Sequence, residues 1–278
     1  MNLLNFFWFC VLSFLFTGII ASCGKPTTEV LITQLSDKQS GVRRKAAYAL
    51  VDAGESSLKP LIKIIPTAPD TVRYIGAQIL GRIGSPSARF TLLKLSYDEN
   101  SHVKNEALRA LGKIHQPDLI DTLIKFTTQD RPEKSRAAAI EGLSSFRDTS
   151  ILPTVMKLMT DNSHIVRKEA LTAIGKLWTK KAEATVIDLI SDSNETIRYI
   201  AVQLSGVRQI KQANSALHLA LNDPSIHVRT EAVKSLGLLK DTTAIPFLIK
   251  MIKKFEGPDT RVALTTLREL TGDEYIVQ

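Results

Sequence analysis

Five histidines, two cysteines and a recurring Asp–Arg pair are the side chains of this 278-residue chain whose types and spacing could do chemistry. Imidazole ligates metals and moves protons near neutral pH. A thiolate is a nucleophile and a metal ligand, and a carboxylate facing a guanidinium makes a strong forked hydrogen bond. Each of these needs convergence. His102, His164 and His227 stand just before a basic residue that recurs about every 31 positions. They fall in the third, fifth and seventh recurrences, and packed helices lie ~8–10 Å apart, so alternate units are about 20 Å from one another, too far to share an ion. His115 and His218 sit outside that register, and there is no glycine-rich phosphate loop. The expectation is therefore no catalytic residue, no metal site and no cofactor.

The cysteines read differently. Residues 3–20 form an uncharged apolar run, followed by Ile20-Ala21-Ser22-Cys23. This resembles the bacterial lipobox, in which the cysteine thiol is joined to diacylglycerol and cleavage makes that cysteine the new N-terminus. The resemblance implies a signal peptide over 1–22, lipidation at Cys23 and a short tether over 23–27. No Lys or Arg lies in Met1–Asn5, so only the terminal amine supplies positive charge there. An uncleaved membrane anchor is the other reading of the run. Cys10 leaves with the signal and Cys23 is acylated, so no thiol remains for chemistry. The surplus of 36 Lys and Arg over 28 Asp and Glu belongs entirely to residues 23–278.

The rest of the chain repeats. One basic position lines up eight times, at Arg43, Arg73, Lys104, Arg136, Arg167, Arg198, Arg229 and Arg261, with gaps of 30, 31, 32, 31, 31, 31 and 32. Asp stands six residues earlier at Asp37, Asp98, Asp130, Asp161, Asp192 and Asp223, while Asp70 and Asp259 lie nearer the basic residue in the other two units. Taking the basic residue as zero, position −1 is apolar in six units, with Ser135 and Thr260 the exceptions. Position +3 is Ala or Gly in seven units, and +7 is Leu or Ile in six. Steps of three and four make the apolar stripe of an α-helix, and small residues at +3 allow a close neighbour. Glycine follows the stripe at Gly81, Gly112, Gly175, Gly206 and Gly237. A second apolar segment comes next, with Pro153 and Pro246 suited to a first turn. Ser40, Ser163, Asn194 and Ser225 stand where helix N-caps are wanted.

This pattern resembles the HEAT repeats in their short bacterial form, named after phycobilin-lyase subunits, over roughly residues 28–272. The resemblance implies an all-α fold: an α-solenoid superhelix of about eight helical hairpins filling residues 28–278, after the lipoprotein signal peptide. It implies that Asp and Arg build a structural ladder from Asp37, Arg43, Asp98, Lys104, Asp130, Arg136, Asp161, Arg167, Asp192, Arg198, Asp223 and Arg229. A di-iron hydroxylase of this repeat type binds its metal through His-Glu pairs, and none of the five histidines here precedes Glu.

In that family the Arg-bearing helix lines the concave face, where positions +1, +5 and +9 would look outward. The stripe offers Arg44, Tyr48, Tyr74, Arg82, Arg109, Lys113, Lys168, Lys176, Tyr199 and Lys234 as a candidate groove, with the acids Asp52 and Glu141 among them. An electropositive groove for an acidic or extended protein segment, and a solvated face with an ordinary share of lysine, both fit. The resemblances together imply a membrane-anchored lipoprotein acting as a non-catalytic, protein-binding scaffold or adaptor in the bacterial cell envelope. The membrane is the outer one in a diderm cell and the plasma membrane otherwise. Nucleic acid is not expected as a partner of an exported chain. The alternative is an enzyme or enzyme-activating subunit like the lyases of the family.

Overall fold

The computed structural model describes residues 26–272. The apolar run, Cys10 and Cys23 lie outside the described residues. Those residues form sixteen α-helices, joined by short turns and 3-10 segments, and no strand. The even-numbered helices are α2 (Ser40–Ala53), α4 (Asp70–Ile83), α6 (Ser101–Lys113), α8 (Glu133–Ser145), α10 (His164–Leu177), α12 (Glu195–Val207), α14 (Ile226–Leu238) and α16 (Pro258–Thr271). The odd-numbered ones are α1 (Thr28–Gln34), α3 (Glu55–Ile64), α5 (Arg89–Leu95), α7 (Leu119–Lys125), α9 (Leu152–Leu158), α11 (Glu183–Asp188), α13 (Asn214–Ala220) and α15 (Ile245–Lys254). Each even helix packs on the next even helix and on its odd neighbours, which gives two layers and eight hairpins in a row.

The stripe inferred from the repeat is the core. Ala107, Ala139, Ala170, Ala201 and Ala232 at +3 are fully buried, as are Leu50, Leu80, Leu111, Leu143, Ile174 and Leu236 at +7. The polar exceptions are compensated. Ser205 at +7 is buried and donates to Ala201 O at 2.8 Å, and Ser135 at −1 donates to Asn105 Oδ1 of the preceding unit at 2.8 Å. Pro153 and Pro246 occupy first turns as expected. Of the N-cap candidates, Asn194 and Ser225 accept from helix amides, whereas the Ser163 hydroxyl goes elsewhere and Ser40 is already inside its helix behind Gln39.

Two features go beyond the reading of the repeat. Gly81, Gly112, Gly175, Gly206 and Gly237 lie inside even helices, ahead of the turn. At Gly81, Gly112 and Gly206 the role is close approach: a Cβ on Gly112 would stand 2.1 Å from the O of a further glycine, Gly142, and one on Gly142 2.5 Å from Leu108 O, whereas one on Gly175 would meet only a Leu204 side-chain carbon at 3.3 Å. The turn comes at +11, where Gly54, Gly84, His115, Arg147, Gln209 and Lys240 have positive φ; Trp178, at +11 of the fifth unit, has φ −10°, and Gly272 closes the last helix with φ 72°. That left-handed residue ends the helix and lets the chain reverse.

The last unit is also set differently. Arg261 is exposed, and Thr260 takes the position of the basic residue. Thr260 Oγ1 donates to Phe255 O, five residues back, as Arg73 Nη1 donates to Ala68 O and Arg198 Nη1 to Ser193 O. Ala263 and Leu267 then fall at +3 and +7 and are fully buried. The residue that fixes this register is the buried Asp259.

The ladder runs between units. Arg73 grips Asp98, Arg167 grips Asp192 and Arg198 grips Asp223, each through Nε and Nη2 at 2.7–2.9 Å. Arg229 donates Nε to Asp259 Oδ2 at 2.7 Å. Arg136 donates Nη2 to Asp161 Oδ1 at 2.7 Å while Gln129 Nε2 takes Oδ2, so the Arg136 Nε has no acceptor. Every gripped Asp of the repeat turns also accepts the backbone N–H two residues on, at Asn100, Ser163, Asn194 and Ser225. The carboxylate thereby binds the guanidinium of one unit to the turn that starts the next helix. Among the described residues, Arg43 reaches only the carbonyls of Asp37 and Lys38, and Asp37 holds only the Gln39 N–H.

One expected rung is missing. Lys104 forms no ion pair among the described residues, and the exposed Asp130 turns to Thr128 and Arg131 instead. Lysine lacks the fork that would hold two carboxylate oxygens. Thr128 is itself within hydrogen-bond reach of Asp130 and holds it away.

A second ladder, unforeseen from the repeat, joins alternate boundaries. Asn100 Nδ2 donates to Asp70 Oδ2 at 2.7 Å, Ser163 Oγ to Glu133 Oε2 at 2.6 Å and Ser225 Oγ to Glu195 Oε1 at 2.5 Å. The acids sit at −3 in units two, four and six alone.

Burial pushes the Asp98, Asp161 and Asp192 carboxyls up, but the guanidinium on each and the backbone N–H pull harder, leaving all three below the usual carboxylate range. Such groups add stability above the unfolded Asp value, about 3.9, and the gain is lost as pH falls through the lower folded values. Urea midpoints are therefore expected to fall between about pH 5 and pH 2. An Asp161→Asn chain, less stable throughout, should lose less across that window. Asp161→Ala strands the buried Arg136 and should cost about 3 kcal/mol in urea unfolding. Gly112→Ala should cost about 2 kcal/mol through overpacking, whereas Gly41→Ala, with open space at its Cβ, should leave stability equal or higher by up to about 1 kcal/mol.

Candidate functional site

The outward face of the even helices carries a line of open depressions between successive helices. The first, of about 320 Å³ between α2 and α4, is lined by Arg44, Tyr48, Gln78 and Arg82 among others. The second, of about 310 Å³ across α4, α6, α8 and α10, brings together Tyr74, Arg109, Glu141 and Lys168. The third, of about 400 Å³ between α10 and α12, is lined by Leu171, Ile200, Leu204 and Val207 with Arg208 at its edge. The fourth, of about 450 Å³ between α14 and α16, holds Glu231, Lys234, Leu238 and Val262.

The +1, +5 and +9 stripe thus gathers on one face, and seven of its ten candidate residues line a depression. Lys113, Lys176 and Tyr199 do not. Lys176 Nζ sits 3.4 Å from Ser144 Oγ, and Tyr199 packs against the core. Tyr74 is half-buried, and its hydroxyl accepts from Gln78 Nε2 at 3.0 Å.

The charge of the face differs from the reading of the stripe alone. Arg109 Nε donates to Glu141 Oε2 at 2.6 Å, and its Nη1 lies 3.5 Å from Glu106 Oε2. Lys168 meets Glu169 at 2.9 Å and Lys234 meets Glu231 at 3.5 Å. Glu106, Glu169 and Glu231 all stand at +2, in units three, five and seven alone. On a helix +2 lies only about 20° beyond +9, so these acids border the groove. The Arg109 guanidinium loses hydration by burial, yet Glu141 and then Glu106 raise its pKa above the usual arginine value. In the middle of the groove Arg109 and Lys168 are therefore paired with the protein's own acids, while Lys113, Lys134 and Lys176 form no ion pair among the described residues. At its N-terminal end Arg44 and Arg82 form no ion pair among the described residues either. The Arg82 guanidinium carbon lies 5.8 Å from the exposed Tyr48 ring.

The histidines do not converge. His102, His164 and His227 are exposed in the first turns of α6, α10 and α14, and His115 Nε2 lies 2.9 Å from Ser145 O. His218 is buried on α13, with Nε2 2.8 Å from Asp241 Oδ2 and its ring stacked 4.3 Å from that of Phe247. Asp241 also accepts from the Thr243 N–H and so caps the turn into α15. No group of three or more metal-ligating side chains comes together among the described residues.

The profile of the HEAT repeats matches the chain at residues 58–144, 120–206 and 183–268. No curated protein sequence matches it. Among solved structures, it is similar to YibA of E. coli, with 23% identity, coverage of 90% of this chain and 96% of that one, and a TM-score of 0.64. It is also similar to Kap95p, solved with RanGDP, at 13% identity, 88% and 41% coverage, and a TM-score of 0.65. The CpcE–CpcF phycocyanin lyase complex of Nostoc sp. shares 17% identity over 89% and 96% of the two chains, with a TM-score of 0.45.

The Arg109–Glu141 pair is half in solvent, with side chains 33% and 44% exposed. A double-mutant cycle on Arg109→Ala and Glu141→Ala should return less than about 1 kcal/mol of coupling in urea unfolding.

Proposed function

The chain belongs to the HEAT-repeat family, and on that premise we propose that it is a lipid-anchored, non-catalytic scaffold or adaptor of the bacterial envelope. It holds a protein partner along the open face of its even helices. The observation that carries this reading is the line of depressions on a single continuous face. They are wide and open, and such a surface suits an extended partner better than a small molecule that must be enclosed. Stacked repeats commonly present long binding surfaces of this kind.

Anchoring rests on the sequence Ile20-Ala21-Ser22-Cys23. With acyl chains on Cys23, each buried methylene contributes ~0.8 kcal/mol, and more than one chain makes attachment stable. The tether between Gly24 and Thr27 reaches at most ~14 Å, so the solenoid works close to the bilayer. The membrane is the outer one in a diderm host and the plasma membrane otherwise. The non-catalytic reading rests on the sequence, whose residues beyond the acylated Cys23 offer no thiol and no His-Glu metal pair.

Metabolic labelling with a clickable fatty acid tests the anchor. The wild-type chain should carry label and sediment with membranes. Cys23→Ala should lose the label, and Cys10→Ala should keep it. Label retained on the Cys23→Ala chain would overturn the lipidation site.

A further inference from the structure

Building on the scaffold reading above, we propose that the groove takes one extended polypeptide segment of defined pattern. It sets an acidic side chain against Arg44 and Arg82 and, about ten residues further along, apolar side chains against Ile200, Leu204 and Val207.

The N-terminal depression has Arg43, Arg44 and Arg82 in its lining and no carboxylate. Arg43 is tied back to Asp37 O at 2.7 Å and Lys38 O at 3.0 Å, so Arg44 and Arg82 are left to face the ligand. A guanidinium fork is suited to a carboxylate, and Tyr48, 54% exposed, adds a flat amphipathic wall. The third depression is the converse. Its one charged residue, Arg208, is engaged elsewhere, donating Nη2 to Gly175 O at 2.5 Å and standing 5.3 Å over the Trp178 ring. Of the rest, Thr172 spends its hydroxyl on Lys168 O at 2.8 Å and Gln203 is uncharged, while Leu171, Ile200, Leu204 and Val207 supply an apolar wall, with Val207 59% exposed.

The two ends are four helix steps apart, about 32–40 Å at usual interaxial spacing. An extended chain covers that with about 9–12 residues. A single lipid cannot, since one leaflet offers only about 15 Å of hydrocarbon. A nucleic acid would have to cross Glu106, Glu141 and Glu169, which border the path between the ends. A peptide that is acidic at one end and apolar at the other meets no like charge along the way.

The test places the photo-crosslinker p-benzoylphenylalanine at Tyr48, Glu141 or Val207 of the full-length chain in its own host, with the adducts sequenced. The expected result is a single partner segment attached at Tyr48 and Val207. An Asp or Glu should lie within three residues of the Tyr48 attachment, with apolar residues at the Val207 attachment about 9–12 residues away. Arg44→Glu with Arg82→Glu should lower the Tyr48 adduct at least fivefold, and a persisting Val207 adduct would show that the chain still folds. Two unrelated proteins at the two positions, or one segment without the acid, would overturn this inference and leave the scaffold reading standing. Lipid or nucleic-acid adducts alone, or no adduct at any of the three positions, would overturn both.

Discussion

Each unit of this protein is stable only against its neighbour, and the closest contact between neighbours is backbone on backbone. At Gly112 and Gly142 the even helices approach so closely that no Cβ fits between them. Such an approach lets the Ala and Leu stripe of one helix bury completely on the next. Apolar packing alone is non-directional; stacked helices could slide. The guanidinium of one unit, gripped by the Asp of the next, ties the starts of α6, α10, α12, α14 and α16 to their predecessors. Glycine permits the contact and the ladder sets its register.

The groove follows from that arrangement. When +3 and +7 face the neighbouring hairpin, +1, +5 and +9 must look out, and stacking eight helices in order turns eight short stripes into one surface. The chemistry along the surface then depends on which acids reach it. Glu106, Glu169 and Glu231 pair with Arg109, Lys168 and Lys234 in its middle and C-terminal parts, while in the first two units the stripe's one acid, Asp52, forms no ion pair with Arg44 or Arg82 among the described residues. The polarity of the groove, basic at one end and apolar further on, is a property of the stack that no single repeat displays.

Much of this was legible in the residues. The basic register, the +3 and +7 core and the helical hairpins follow from a period of 3.6 inside a period of about 31. What escaped has physical reasons. Nothing in the glycine after the stripe reveals its use, which at Gly112 is close packing, and the turn at +11 is made by His115, Arg147, Gln209 and Lys240 as readily as by glycine, so no residue type flags it. Arg261 matches the basic register by type, but buried Asp259 and its bond to Arg229 pull the last helix one residue earlier. Lys104 matches by charge but lacks the fork that a rung needs. The acids at +2 and −3 were readable, since they recur every second unit. They fall outside a search keyed to a single-unit period and to the face opposite the core.

The coupling between neighbours is tested most directly by native-state hydrogen exchange on the full chain, comparing wild type with Asp192→Ala. Protection should fall most in α10 and α12, the two helices that this rung joins, and little in α4 and α6. An equal loss throughout the chain, or none, would contradict a structure held together unit by unit.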